Sequence, residues 1–258
     1  MQSRYGRSFY ERSMLYKKSR VSKFKKIIPY KLKRKIKEYF GVPSLHWSLE
    51  NSKRMGFDPT VIIDIGAYEG TWTLHVLEVY PNARILMLEA QRKKEPILQK
   101  LRDHYGNIDY RIALVSSTDG KEKLFGECET NSQVVENGQN DNNVYSLPTQ
   151  TLDSILAQAR FPYPDFLKLD VQGHELEVLK GSENAMAHSE VCLLEVSLLD
   201  LGNKQPLLSE MVSFMDEKGF QAYDISQLMR RPFDKALYQV DMFFVKKSSR
   251  LLESKRWN

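Results

Sequence analysis

The stretch "FLKLDVQGHELEVLKG", residues 166–181, decides how this chain of 258 residues folds. Its first half sets Lys168 and Asp170 among apolar residues, and its second half opens a helical run with His174 and Glu175. A short apolar run, then a glycine turn, then helical spacing, is one strand-to-helix unit of a sheet. The polar residues at the junction admit two readings. One is a catalytic corner; the other is a strand end followed by a helix start whose acids suit the helix dipole.

The same unit recurs on both sides. "TVIIDIG" reads as a buried strand, "YEGTWTLHVLEVYP" as a helix stopped by Pro81, "RILMLEA" as a strand and "KKEPILQKLRDHYG" as a helix closed by Gly106. "IDYRIALVSS" is a third strand. Residues 116–150 then break the rhythm: they are rich in Asn, Gln, Ser and Gly and predict a long loop, with "KEKLFGE" as a short edge strand after the Asp119–Gly120 turn. "TLDSILAQA" returns to helix, with Thr151 or Asp153 placed to cap it. After the opening stretch, whose helix is expected to continue through "HELEVLKGSENAM", come strand "VCLLEVSL", helix "PLLSEMVSFMDEKG" and strands "FQAYDIS" and "QVDMFFVKK". This alternation predicts an α/β fold with a doubly wound, mostly parallel seven-stranded sheet, its last strand antiparallel.

Open sheets of this kind bind ligands beyond the carboxyl ends of their strands. Asp64, Glu89, Ala113, Asp170 and Glu195 all fall there. In "VIIDIGAYEG", Gly66 permits a sharp turn, and Gly70 lets the next helix pack closely or receive a ligand. Asp64 would repel a phosphate, while Glu89 is placed to accept hydrogen bonds from ribose hydroxyls. The dinucleotide spacing G-x-G-x-x-G fails, because Tyr68 and Thr71 hold its second and third glycine positions. An adenosine without phosphates fits better, hence S-adenosylmethionine.

The motifs "VIIDIGAYEG", "LEA", "RIALVSSTDG", "TLDSIL", "DFLKLDVQGHELEVLKG" and "LLEVS", in this order, resemble the FkbM-type methyltransferases of the Rossmann-like, S-adenosylmethionine-dependent group. The resemblance covers about residues 58–247. It implies O-methylation of a hydroxyl on a sugar, glycan or natural product. It also implies that Asp64, Gly66, Ala67 and Gly70 line the methionine side of the cofactor. Glu89 with Ala90 would hold the ribose, Ile112 and Ala113 would border the adenine, and Asp170 would stand between the methyl group and the acceptor. Tyr68 departs from the small residue or Asn usual at its position.

Methyl transfer to oxygen needs in-line alignment and a group to take the hydroxyl proton. Asp170 leads the candidates, as base or as contact to the cofactor amino group. Lys168, on the same side of the strand, is a support or orients the acceptor oxygen. His174 and Glu175 are further candidates for the base, or a helix start, and Glu195 belongs to the acceptor rim or simply ends its strand. Asp170, His174 and Glu195 carry ligand chemistry, but no spacing motif demands a metal, and His46, His75, His104 and His188 show none. Asn131 and Ser132, in the loop 126–147, are candidates to shape the acceptor pocket by hydrogen bonding. Two other classes stay open on the residues alone: an NAD-linked oxidoreductase, and a non-catalytic adapter that kept the fold.

Charge divides the chain. Residues 1–40 hold 14 Lys or Arg against Glu11 and Glu38, so a chain of net +5 has a body of net −7. Residues 1–50 read as a basic, helical or partly disordered extension and 51–250 as the methyltransferase domain. Ile28, Leu32, Ile36 and Phe40 lie at helical spacing among the lysines, a pattern suited to an anionic membrane surface or an acidic partner. With no RNA-binding motif present, nucleic acid is disfavoured. Cys128 and Cys192 lack metal-like spacing and suit reduced thiols. With no secretory signal pattern and no long apolar run, they predict a cytoplasmic protein, peripheral at most to the inner membrane face.

Overall fold

The computed structural model describes Leu32 and residues 39–127, 132–135, 143–202 and 205–257. Most of the basic extension, together with Cys128 and Asn131, lies outside the described residues. The body begins with α1 (Leu45–Arg54), which precedes β1 (Val61–Ile65), α2 (Thr71–Val79), β2 (Arg84–Glu89), α3 (Glu95–His104) and β3 (Ile108–Ile112). Then follow β4 (Leu114–Val115), β5 (Glu122–Gly126), β6 (Gln133–Val134), β7 (Val144–Gln150) and α4 (Leu152–Ala159). β8 (Phe166–Leu169), α5 (Glu175–Lys180), α6 (Glu183–His188), β9 (Val191–Ser197), α7 (Leu208–Glu217), β10 (Phe220–Arg230) and β11 (Leu237–Lys246) complete the order.

Seven strands form one sheet in the order β10-β11-β9-β8-β1-β2-β3. The pairs from β9 through β3 are parallel, and β11 inserts antiparallel between β10 and β9. Strand alternation divides the core into two layers. Ile63, Leu86, Leu167 and Leu194 face α4 to α7, whereas Ile62, Ile85, Phe166 and Leu193 face α1 to α3. The predicted topology is therefore the observed one.

Three local differences have physical causes. The expected single strand "IDYRIALVSS" divides at Ala113, because β4 leaves the main sheet to pair with β7. The long loop expected over 116–150 contains most of a small sheet of order β4-β7-β5-β6. The strand expected at an edge is its β5, which instead lies inside that sheet, paired with β7 and β6 on either side. The helix expected through residue 186 breaks at Gly181–Ser182. A Cβ on Gly181 would lie 2.1 Å from the Ser116 carbonyl oxygen, so a glycine is required where the chain passes over β4. Thr151 caps α4 by accepting from the Ser154 N–H at 3.2 Å. Asp153 instead accepts from Asn184 and Ala185 at the start of α6.

Candidate active site

Buried ion pairing builds the first wall of the site. Asp64 and Lys168 are register partners on β1 and β8, and their charged atoms stand 2.9 Å apart, with Asp64 fully buried and Lys168 nearly so. Thr73 of α2 donates to the other Asp64 oxygen at 2.8 Å, and Lys168 donates to the Gly66 carbonyl at 3.1 Å. Burial pulls the Lys168 pKa down, but Asp64 and Asp170 outweigh it and hold the value above that of an ordinary lysine. The pair thus pins the glycine turn from behind. Gly66, at φ +75°, packs so tightly on β8 that a Cβ would lie 1.9 Å from the Asp170 carbonyl oxygen. A Cβ on Gly70, at φ +74°, would lie 2.3 Å from Leu101, so this glycine admits α3.

Glu89 closes the second wall. Its two carboxylate oxygens accept from the Tyr68 and Gln91 N–H groups at 2.7 and 2.8 Å, tying the glycine turn to the end of β2. Burial raises its pKa, against those two hydrogen bonds and Lys168, which lower it. Tyr68 occupies left-handed backbone at φ +52°, a conformation that favours Gly or Asn and costs about 1 kcal/mol elsewhere. Its ring sits 3.6 Å from the Lys94 ammonium, which also pairs with Glu69 at 2.7 Å.

The opening stretch supplies the third wall. Glu175 is buried, and one of its oxygens accepts from Val171 and Gly173 N–H groups at 3.0 and 3.2 Å, so it shapes the turn ahead of its own helix. Burial pushes its pKa up to about 7. His174 Nε2 stands 3.0 Å from the Ser116 hydroxyl, and burial, helped by Lys123, lowers its pKa to about 4. It is a neutral imidazole at pH 7. Gln172, at φ +55°, donates from Nε2 to both Asp170 and Glu195 at 2.8 Å. Burial first, then Asp170 and Glu175, raises the Glu195 pKa well above an ordinary carboxyl. Asp241, the register partner of Glu195 on the adjacent β11, is pushed to about 6 by burial and then by Asp170. The Asp170 carboxylate remains partly open to solvent, with Lys168 at 3.9 Å.

These walls enclose a cavity of about 200 Å³ at the carboxyl ends of β1, β2, β4 and β8. Gly66, Glu89, Ala90, Ala113, Asp170 and His174 line it, as do Gln91 and Gln172. Ile112 lines an adjoining cavity that shares Ala90 and Ala113. Asp64, Ala67, Gly70, Lys168 and Glu175 are absent from the lining of the first cavity and support it from behind. Sequence reasoning missed Gln91, Gln172 and the β5–β6 wall of Phe125 and Val134. The charged lining side chains among the described residues are Glu89 and Asp170, with no Lys or Arg. No group of three or more His, Cys, Asp or Glu among the described residues stands so as to hold a metal ion.

A family profile described as the Methyltransferase FkbM domain matches residues 64–222, from the buried acid of β1 into β10. The chain belongs to the FkbM methyltransferase family. Methyltransferase FkbM from Methylobacillus flagellatus KT, a solved structure, superposes with a TM-score of 0.51 at 17% identity. That likeness covers 80% of this chain and 50% of the solved one, and it speaks to the fold. Hexuronic acid methyltransferase AglP of Haloferax volcanii is 36% identical over 66 residues, which span 25% of this chain and 28% of AglP.

The cofactor of this FkbM domain is S-adenosylmethionine, and the chemistry of the cavity lining suits it. Glu89 keeps lone pairs that can accept from ligand hydroxyls, since each of its oxygens accepts one backbone N–H. The Gln91 side-chain oxygen is buried at the cavity without a hydrogen-bond partner, an acceptor waiting for a donor. Two carboxylates and no cation among the described lining residues suit a sulfonium and not a pyrophosphate.

Proposed function

We propose that the protein methylates a hydroxyl oxygen of an uncharged sugar or related natural product, with Asp170 accepting the hydroxyl proton. S-adenosylmethionine supplies an electrophilic methyl group on a sulfonium. The observation that carries the reading is the cavity bounded by Glu89 on one side and Asp170 on the other, with no cation among its described lining residues.

The division of labour follows from burial. Lys168 is committed to Asp64 and the Gly66 carbonyl, so it orients the turn and does not reach an acceptor. His174 is a weak base whose Nε2 is engaged by Ser116. Glu175 is occupied with the 171–173 turn. Asp170 combines cavity lining, solvent access and a fixed rotamer, held by Gln172. Ser132 and Val134, at the β6 side of the small sheet, line the same cavity and give the acceptor a wall.

The name of AglP supports a sugar acceptor, a hexuronic acid in its case. Here Glu195 and Asp241 lie behind Asp170, and Lys168, the cation beside Asp170 among the described residues, is paired with Asp64. That balance favours a neutral hydroxyl over a sugar carboxylate. The test is methyl transfer from isotope-labelled S-adenosylmethionine to matched neutral glycosides and uronides. An alkali-stable methyl ether on the neutral sugars is expected, with turnover reduced about 100-fold or more in Asp170→Asn. An alkali-labile ester, or full activity in Asp170→Asn, overturns the reading.

A further inference from the structure

The flank of the domain away from the cofactor cavity carries an apolar and basic surface that methyl transfer leaves unused. β10 runs parallel to β9, and β11 returns against both. The turn joining them, residues 231–236, therefore stands at the same end of the sheet as the cavity. Leu228, Met229 and Phe233 are exposed there, Phe233 by 82%.

A second segment, distant in sequence, reaches this rim. Val42 and Leu228 wall one cleft of about 300 Å³ beside the start of α1. Tyr39 and Phe40, just before it, are 84% and 72% exposed, with their rings edge to face at 5.2 Å. In sequence, Lys31, Lys33, Arg34, Lys35 and Lys37 precede these rings, against Glu38 alone. The β10–β11 turn adds Arg230, Arg231 and Lys235 against Asp234, which pairs with Arg231 at 2.6 Å.

Single exposed apolar side chains are ordinary on a protein surface. Rings grouped with cations on one rim have the chemistry of a bilayer headgroup layer, where aromatics bury and Lys or Arg meet anionic lipid. We propose that this rim, residues 39–42 with the β10–β11 turn, docks the protein on an anionic membrane surface. Phe40 and Phe233 are the apolar anchors, and the cations of the β10–β11 turn, with those that precede Tyr39 in sequence, supply the attraction. An acidic protein would use the charges but leave two highly exposed phenylalanines without a role. Because the turn and the cavity share one end of the sheet, docking holds the acceptor side close to the bilayer.

The test is co-sedimentation of the full chain with vesicles of phosphatidylcholine, alone or with about 30% phosphatidylglycerol. Binding to the anionic vesicles only, weakened by salt, is expected. The double variant Phe40→Ser/Phe233→Ser keeps every charge and alters exposed positions, so its thermal transition should match the wild type. Its partitioning should fall about tenfold or more. Equal binding to neutral vesicles overturns the proposal, as does no binding at all. Undiminished binding of the folded double variant overturns the role of the turn and leaves the tail charge alone responsible. Retention by soluble polyglutamate but not by vesicles assigns the surface to an acidic macromolecule and overturns it equally.

Discussion

The ends of β1 and β2 and the ends of β8 and β9 are both acidic, yet their acids are held differently. At the first, Asp64 has Lys168 and Thr73, and Glu89 has two backbone N–H groups, so each carboxylate is held in place by partners within the protein. At the second, Asp170, Glu195 and Asp241 crowd one another with one amide, Gln172, between the first two. A fully paired polar network is rigid, whereas like charges left to share protons are responsive. The first arrangement suits a cradle for an invariant cofactor. The second suits a place where a proton changes hands.

Disturbing the cradle should therefore damage the fold before it damages chemistry. The largest effect is expected for Gly66→Ala, because its Cβ would meet the Asp170 carbonyl oxygen at 1.9 Å and left-handed backbone adds strain. Loss of the folded state, or on the order of 4 kcal/mol in denaturant titration, is the expected result. A melting curve like that of the wild type would show that the turn can move off β8. Next comes Lys168→Met, which leaves Asp64 buried and unpaired and should cost about 3–5 kcal/mol. Adding Asp64→Leu should recover much of that loss, and a double variant no better than the single one would break the pairing argument.

The smallest effect sharpens the other side of the comparison. The Glu175 pKa stands near 7 in the folded protein against 4.5 for an ordinary Glu, so its stabilising proton is fully present below 4.5 and lost as pH rises through 7. Glu175→Gln keeps an oxygen for the Val171 and Gly173 N–H groups and removes the charge. Thermal unfolding should therefore be alike for both proteins near pH 4, with the variant more stable by about 1–3 kcal/mol near pH 8.5. A variant less stable at both values would mean that the ionised form is the one the turn requires.

Much of the fold was legible because buried parallel strands are near-continuous apolar runs, as in "TVIIDIG", "RILMLEA" and "VCLLEVSL". Of the small sheet only β5 was legible, since its strands are half exposed and set in amide-rich sequence. The partnership of Asp64 with Lys168 was hidden for another reason. Only the register of β1 against β8 brings them together, and the sequence showed Lys168 beside Asp170 instead. Gln91 and Gln172 carried no motif, and their importance comes from burial and from the acids they face. Strand ends could be read; what each end binds depends on contacts between strands distant in the chain.

The most direct test of this division is calorimetric titration of S-adenosylmethionine and its demethylated product into Glu89→Gln and Asp170→Asn. The account predicts that Glu89→Gln weakens binding about tenfold or more through lost charged hydrogen bonds to ribose. It predicts that Asp170→Asn binds both ligands within about threefold of the wild type while losing methyl transfer. Equal binding by Glu89→Gln and the wild type, or loss of binding in Asp170→Asn, would contradict it.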